Sequence, residues 1–300
     1  MPFNSSTSWT ILSPIEQSIK AKIEAVGTPL KDWNININYG IKTGCNEAFI
    51  IDIKKKEELI SKDLKSAEII RPILRGRDIK RYGYEFANQY ILALFPSCNY
   101  DIDNYPAIKE YLLSAEWSDN VPYGHGFEKL EQTGKKYIID GLSFTARKLT
   151  GNKWYETQDP ISYWDDFSKQ KIIWGNLALS ASFSFAEDTI FVNAPSCMIV
   201  PGEKYLLAIL NSKLADFYIR NLGVTRNGGY FEYKPMFIQE FPALKAFGEQ
   251  KEKLENLVDK IMANGNNINN HKFEDAIDVI VFNLYGFTDV EIEFIQNIYD

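Results

Sequence analysis

Apolar residues recur along the chain with two different periods. Between Ser13 and Gly27 they fall at Ile15, Ile19 and Ile23, a spacing that puts them on one helical stripe. Ser13 is placed to cap that helix, Pro14 suits its first position, and Glu16 completes a capping box. Gly27 stands where the helix should stop. The spacing predicts a helix over 13–26. Just beyond it, Trp33, Ile35, Ile37 and Tyr39 alternate strictly with Asn34, Asn36 and Asn38, and period two predicts a half-buried strand. Gly40 and Gly44 then bracket a bend ahead of the apolar run 48–53, so GIKTGCNEAFIID reads as strand, turn, strand.

Further short runs rich in Ile, Phe and Tyr lie at 90–95, 137–139, 171–174, 183–185, 189–192 and 197–200, divided by Gly, Pro, Asn and Asp. Two helices interrupt them. Pro106 opens PAIKEYLLS, and KYLLAILNSKLADFYIRN is a long amphipathic segment ending near Gly223. After Pro242 the period is helical throughout. Leu254, Leu257, Val258 and Ile261 mark one helix, and Phe273, Ile277, Ile280, Val281 and Leu284 mark the next. Residues 264–267 connect the two, and Thr288 with Glu291 caps a short last helix. Helices and strands do not alternate regularly, which excludes a doubly wound sheet. The expectation is an α+β fold. An N-terminal helix and linker (1–27) precede a mixed, mainly antiparallel β part with inserted helices (28–242), and a helical module (243–300) follows.

The 300 residues include 19 Phe, 17 Tyr and 6 Trp, too many for a disordered chain. No apolar run has the length of a membrane span, and MPFNSSTSWT lacks the basic and apolar regions of a secretory signal. Cys45, Cys98 and Cys197 are widely spaced and odd in number, which speaks against a disulfide framework or a zinc site and for a reducing cytoplasm. His125 and His271 have no acidic or thiol cluster near them in sequence, so no metal is expected. Net charge is −7, but unevenly spread. Residues 241–300 hold eleven acids and five bases, so the rest of the chain is nearly neutral. Within that rest, RPILRGRDIKR (71–81) has five cations and one anion, and 134–153 repeats the count. A polyanion responds to the field within a Debye length of ~10 Å, so local excess matters more than the total.

Phosphate-binding loops, dinucleotide fingerprints, nucleophile elbows and zinc-protease motifs are all absent from the sequence. So is the Asn-Pro-Pro-Tyr of amino-methyltransferases, and there is no convincing nuclease cluster of an Asp followed by Glu-x-Lys. Asp165 and Asp166 are neighbours and read as a solvated turn rather than an acid/base pair. The chemistry that remains is binding. Lys42, Thr43 and Asn46 put a cation, a hydroxyl and an amide at one bend, groups suited to phosphates and base edges, though an ordinary polar hairpin would look the same. Pro72 and Gly76 oppose a helix, so an extended segment would align Arg71, Arg75 and Arg77, with Lys80 and Arg81 following. Arginine forks match guanine or phosphate, while a solvated face paired with Asp78 is the plainer alternative. Arg147, Lys148 and Lys153 lie among Tyr137, Phe144, Trp154 and Tyr155, a mixture that suits stacking and backbone neutralisation. Arg226 and Asn227 sit in the glycine-flanked segment 223–229.

Taken in order, GIKTGCNEAFIID, IIRPILRGRDIKRYG, YPAIKEYLL, NKWYETQD, FSKQKIIWGNL, YLLAILNSKLADFYI and FNLYGFTDVEI resemble the TaqI-like C-terminal specificity domain of type IIG restriction–modification enzymes. The resemblance spans about residues 9–300, and residues 1–8 match nothing in it. It implies a target recognition domain for double-stranded DNA that follows an N6-adenine methyltransferase domain and is joined to helices that dock it on the enzyme. S-adenosylmethionine and Mg2+ would belong to the catalytic domains, whose sites are not in this sequence. The chain itself is then expected to be non-catalytic, either a piece of such an enzyme or a stand-alone specificity subunit working with a separate methyltransferase. A protein-interaction scaffold, or a hydrolase built from dispersed carboxylates, are the other readings of the same composition.

Overall fold

The computed structural model describes residues 12–223, 225–265 and 270–299. The expectations for residues 1–8, Val224 and 266–267 lie outside the described residues. Helix α1 (Pro14–Val26) carries the capping box between Ser13 and Glu16 and buries Ile19 and Ile23. Strands β1 (Thr28–Pro29) and β2 (Asn36–Tyr39) follow. The next segment departs from strand, turn, strand. Residues Asn46–Phe49 coil into α2, whose Ala48 and Phe49 amides both donate to the Cys45 carbonyl, and only β3 (Ile50–Asp52) is extended. Helix α3 (Ile53–Lys62), which the apolar pattern does not reveal, is capped by Asp52 and buries only Leu59. Strands β4 (Ile70–Leu74), β5 (Ile79–Lys80), β6 (Gly83–Tyr84) and β7 (Gln89–Leu92) come next, then α4 (Pro106–Ser114) and α5 (Gly126–Leu130).

A hairpin of β8 (Lys136–Ile139) and β9 (Leu142–Thr145) precedes the second run of strands: β10 (Lys171–Trp174), β11 (Leu177–Ala178), β12 (Phe183–Ala186), β13 (Phe191–Val192) and β14 (Cys197–Val200). The long amphipathic segment is two helices, α6 (Lys204–Asn211) and α7 (Lys213–Leu222). Ser212 breaks it: its backbone is extended, and its hydroxyl accepts from the Ala215 amide at 3.2 Å to start α7. Strand β15 (Phe231–Glu232), α8 (Pro235–Ile238), β16 (Pro242–Ala243), α9 (Gly248–Asn264), α10 (His271–Leu284) and α11 (Asp289–Gln296) complete the order. The Thr288–Glu291 capping box opens α11 as its spacing predicts.

Two four-stranded sheets dominate, ordered β12-β10-β14-β2 and β13-β4-β7-β3. The first is antiparallel throughout; in the second only the β13–β4 pair is parallel. The sheets face each other. Ile173, Met198 and Val200 from the first share one apolar cluster with Ile73, Ile91 and Phe191 from the second. The alternate residues Ile172, Trp174, Phe183 and Ile199 point the other way, into a core with α1, α6, α7 and the helices after Pro242. Beyond the second sheet, Ile51, Ile70, Tyr90 and Leu92 pack on α3 and α4. The layers thus run helix, sheet, sheet, helix. Because both sheets are covered on both faces, β10, β12 and β14 are buried at every position, which is why they read as mainly apolar runs, with Lys171 and Ser184 as the buried exceptions. The α+β class is as expected.

Candidate nucleic-acid interface

Sheet register decides which loops meet. Leu74, the last residue of β4, pairs with Val192 at the end of β13, and the Asn193 amide donates to the Leu74 carbonyl at 2.8 Å. On the other side of the same strand end, the Ile41 amide donates to Val192 and the Ala194 amide to Ile41. The segments 40–46 and 75–78 therefore flank one strand end. Gly40 allows this approach, since a Cβ there would stand 2.7 Å from the Asn193 backbone. The chain of contacts continues in both directions. Amides of Gln158 and Asp159 donate to the carbonyls of Thr43 and Lys42, bringing in 147–159. Gly175 lies against Gly76, and β11 beyond it pairs with β15, which carries the 225–230 turn. All four segments singled out from the sequence are joined by backbone contacts at one end of the sheets.

Within that cluster the cations divide. Lys42, Arg77 and Lys148 are exposed and form no salt bridge among the described residues, although the charge of Arg77 helps to hold the neighbouring Asp78 carboxyl down. Asn46 and Asn227 are exposed as well, although the Asn46 amide oxygen accepts from the Thr43 hydroxyl at 2.7 Å. Lys153 is exposed but lies 3.7 Å from Glu156 and bonds Asn99. Lys80 donates to the Arg77 carbonyl and lies 3.8 Å from Glu85. Arg226 is paired with buried Glu232, which Lys234 also neutralises.

Five expected contact residues are turned inward or committed to the scaffold. Thr43 is 1% exposed, and its hydroxyl accepts from the Cys45 amide. Arg71, Arg75 and Arg77 do not align as an extended segment would place them, because β4 ends at Leu74 and 76–78 coil into a turn. Arg71 stays in β4 and donates to the carbonyls of Ala67, Glu68 and Ile70. Arg75 forks onto Asp78 with two bonds of 3.0 Å. Burial pushes the Asp78 carboxyl up, but the Arg75 side chain and amide outweigh it and hold it below its usual range. Arg81 reaches Glu274 on α10 at 2.8 Å and the carbonyls of Ala181 and Asn211. It joins the sheets to the C-terminal helices.

Arg147 is 3% exposed. Its guanidinium donates to four main-chain carbonyls, those of Leu130, Thr43, Glu156 and Trp154, at 2.6–2.8 Å. Burial brings it down to about 10, so it remains charged at neutral pH. It ties the Gly40–Asn46 bend to the 130–158 region. Gly44, at φ +78°, packs directly on it and on Gln158. Sequence reasoning also missed three polar side chains at the junction: the oxygens of Asn176, Asn193 and Ser196 are buried with no protein partner among the described residues. No local pattern marks them, because register alone brings them to this end.

Among the described residues, no three His, Cys, Asp or Glu side chains are grouped to hold a metal ion, and no helix is long and apolar enough to cross a membrane. A family model described as the TaqI-like C-terminal specificity domain matches residues 71–243. No curated protein matches the chain. Solved structures that share its fold include two restriction enzymes. One is the type IIL restriction-modification enzyme MmeI in complex with DNA, with a TM-score of 0.57 at 14% identity, covering 91% of this chain and 36% of that one. The other is the type IIG restriction endonuclease BpuSI, with a TM-score of 0.50 at 15% identity, covering 90% of this chain and 32% of that one. The chain spans about a third of the length of these two structures.

Proposed function

This chain belongs to the family of TaqI-like C-terminal specificity domains, and on that premise we propose that it reads a specific sequence in double-stranded DNA for a restriction–modification enzyme. One observation carries the reading. The four segments that hold the candidate contacts are contiguous at one end of the sheets, and Lys42, Arg77 and Lys148 are exposed there and form no salt bridge among the described residues, Arg77 feeling only the charge of neighbouring Asp78. Arg77 offers the planar fork that suits guanine or a phosphate. Lys42 and Lys148 hold phosphates, and Asn46 and Asn227 present amides to base edges. Arg71, Arg75, Arg81, Thr43 and Arg147 hold those groups in place instead of touching DNA.

The reading extends to a type IIG enzyme with an N6-adenine methyltransferase and a nuclease in other domains, where S-adenosylmethionine and Mg2+ would bind. This module would then position the duplex so that an adenine can leave the stack. Support comes from the two restriction enzymes of like fold, one of them described with DNA, which this chain matches over only about a third of their length. The test is enrichment of duplexes from a randomised pool on the purified chain. One sequence should emerge, bound weakly because few cations release counterions, with an affinity that falls as salt rises. A pool that shows no preference, or binding indifferent to salt, would refute the proposal.

A further inference from the structure

The β8–β9 hairpin stands apart from both sheets. It is a two-stranded ribbon with no third strand among the described residues, in register Lys136↔Thr145, Tyr137↔Phe144, Ile138↔Ser143 and Ile139↔Leu142. Asp140 and Gly141 both have positive φ, the turn whose twist matches that of the flanking strands. Strand alternation gives the ribbon two faces. On the inner face Tyr137 stacks on Phe144 at 5.7 Å, and both pack with Ile139 on Ala115, Val121 and Trp117. The outer face carries Lys136, Ile138, Ser143 and Thr145, all exposed, with Ile138 at 80%. The inner face already supplies the packing that holds the ribbon, so this isoleucine adds nothing to the core.

Charge marks what the outer face meets. Lys135, Lys136 and Lys148 are exposed along and below the ribbon, Lys129 donates to the Thr145 carbonyl, and Arg147 lies buried at its base. Against them stand Asp140 at the tip and Glu131, which the Tyr137 and Thr133 hydroxyls engage from the inner side. The base is fixed, because the ladder continues through Gly134 and Ala146 to Arg147, which grips the Thr43 carbonyl beside Lys42. A two-stranded ribbon is one of the two elements that B-DNA's major groove admits.

We propose that the outer face of this ribbon enters the major groove. Ser143 and Thr145 lie at base edges, Ile138 covers a thymine methyl, and Lys135 and Lys136 hold the flanking phosphates. This rests on the duplex-reading function proposed above, and the experiment separates the two. The full chain and its Ile138→Ala and Ser143→Ala/Thr145→Val variants, checked for unchanged thermal unfolding, are titrated with the duplex enriched from the randomised pool. Copies of that duplex with single thymines replaced by deoxyuridine are titrated in parallel. Removing one methyl should weaken the wild type about four-fold at one position and leave Ile138→Ala indifferent. The double variant should lose about ten-fold between the enriched duplex and its single-base mismatches. If the outer-face variants bind and discriminate like the wild type while Lys42→Ala weakens binding, the ribbon lies outside the groove and the DNA-reading function stands. If the wild type binds no duplex, both proposals fall.

Discussion

A guanidinium that loses water must find oxygens, and Arg147 finds four of them on the main chain of three separate segments. Its removal takes a donor from each of them, leaving only the Gln158 amide on Thr43 and the Gln132 side chain on Glu156, so Arg147→Ala should cost about 3 kcal/mol in urea unfolding. Lysine in its place, with a single ammonium, should recover only part of that. Lys171 poses a related problem. It is fully buried among the carbonyls of Phe167, Lys169 and Glu187, and burial brings it down to about 8. Between that value and its ordinary 10.5, the unfolded chain binds more protons than the folded one. Stability contributed by this residue should therefore rise as pH climbs through the interval, by up to about 3 kcal/mol. Urea midpoints of the wild type and Lys171→Met across that range test this; a rise of the same size in the variant would exclude Lys171 as its source.

At the scale of elements, α11 packs Ile295 and Phe294 on the core and is tied to α1 by one carboxylate. Glu291 closes the capping box with Thr288 and also bonds Ser18 and Lys22 on α1. Burial alone would raise this carboxyl; Lys22, the Thr288 amide and hydroxyl, and Ser18 together bring it down to about 2. A depressed acid stabilises the fold above its ordinary 4.5, and that contribution is lost as pH falls toward 2. Glu291→Gln should lower stability at neutral pH by about 2 kcal/mol and flatten the acid limb of the unfolding curve. Circular dichroism against pH would show it, and an unchanged acid limb would count against the assignment. The elements most legible in the sequence were those with their signals inside themselves: α1 and α11 with capping boxes, and α4 with its proline start. Helix α3 was not, because only Leu59 is buried, with Ile53 and Ile60 partly covered, while Asp52 caps it and Lys55 and Lys62 pair with Glu58 along it.

For the whole molecule, the net charge of −7 and the exposed cations of the candidate interface coexist because the acids concentrate in residues 241–300 and many cations elsewhere are paired with carboxylates. The same accounting applies to part of the sequence-derived list, since Arg75, Arg81 and Arg226 are each held by a carboxylate. Lys42 and Arg77 should behave differently from these. Substituting either by alanine should weaken duplex binding and reduce the slope of log affinity against log salt by about one, with folding unchanged. Arg81→Ala should instead loosen α10 from the sheets and appear first as a lower unfolding midpoint. A fluorescence titration at several salt concentrations, with thermal unfolding alongside, separates the two behaviours. Equal salt slopes for the wild type and Arg77→Ala would remove the turn after β4 from the interface.

The order of amphipathic stripes, alternating runs, caps and turns was enough to establish the α+β class and the place of half the strands, among them β2, β7, β10, β12 and β14 of the two sheets, because periodicity and capping are local and each window of chain carries its own answer. Which cations face solvent was decided only in three dimensions. Arg147 and Lys148 are neighbours with the same charge, yet one is enclosed by carbonyls brought from as far away as Thr43 and the other projects into water. Burial of a charge depends on partners distant in sequence, and those partners are set by how β4, β13 and the segment after β2 come into register.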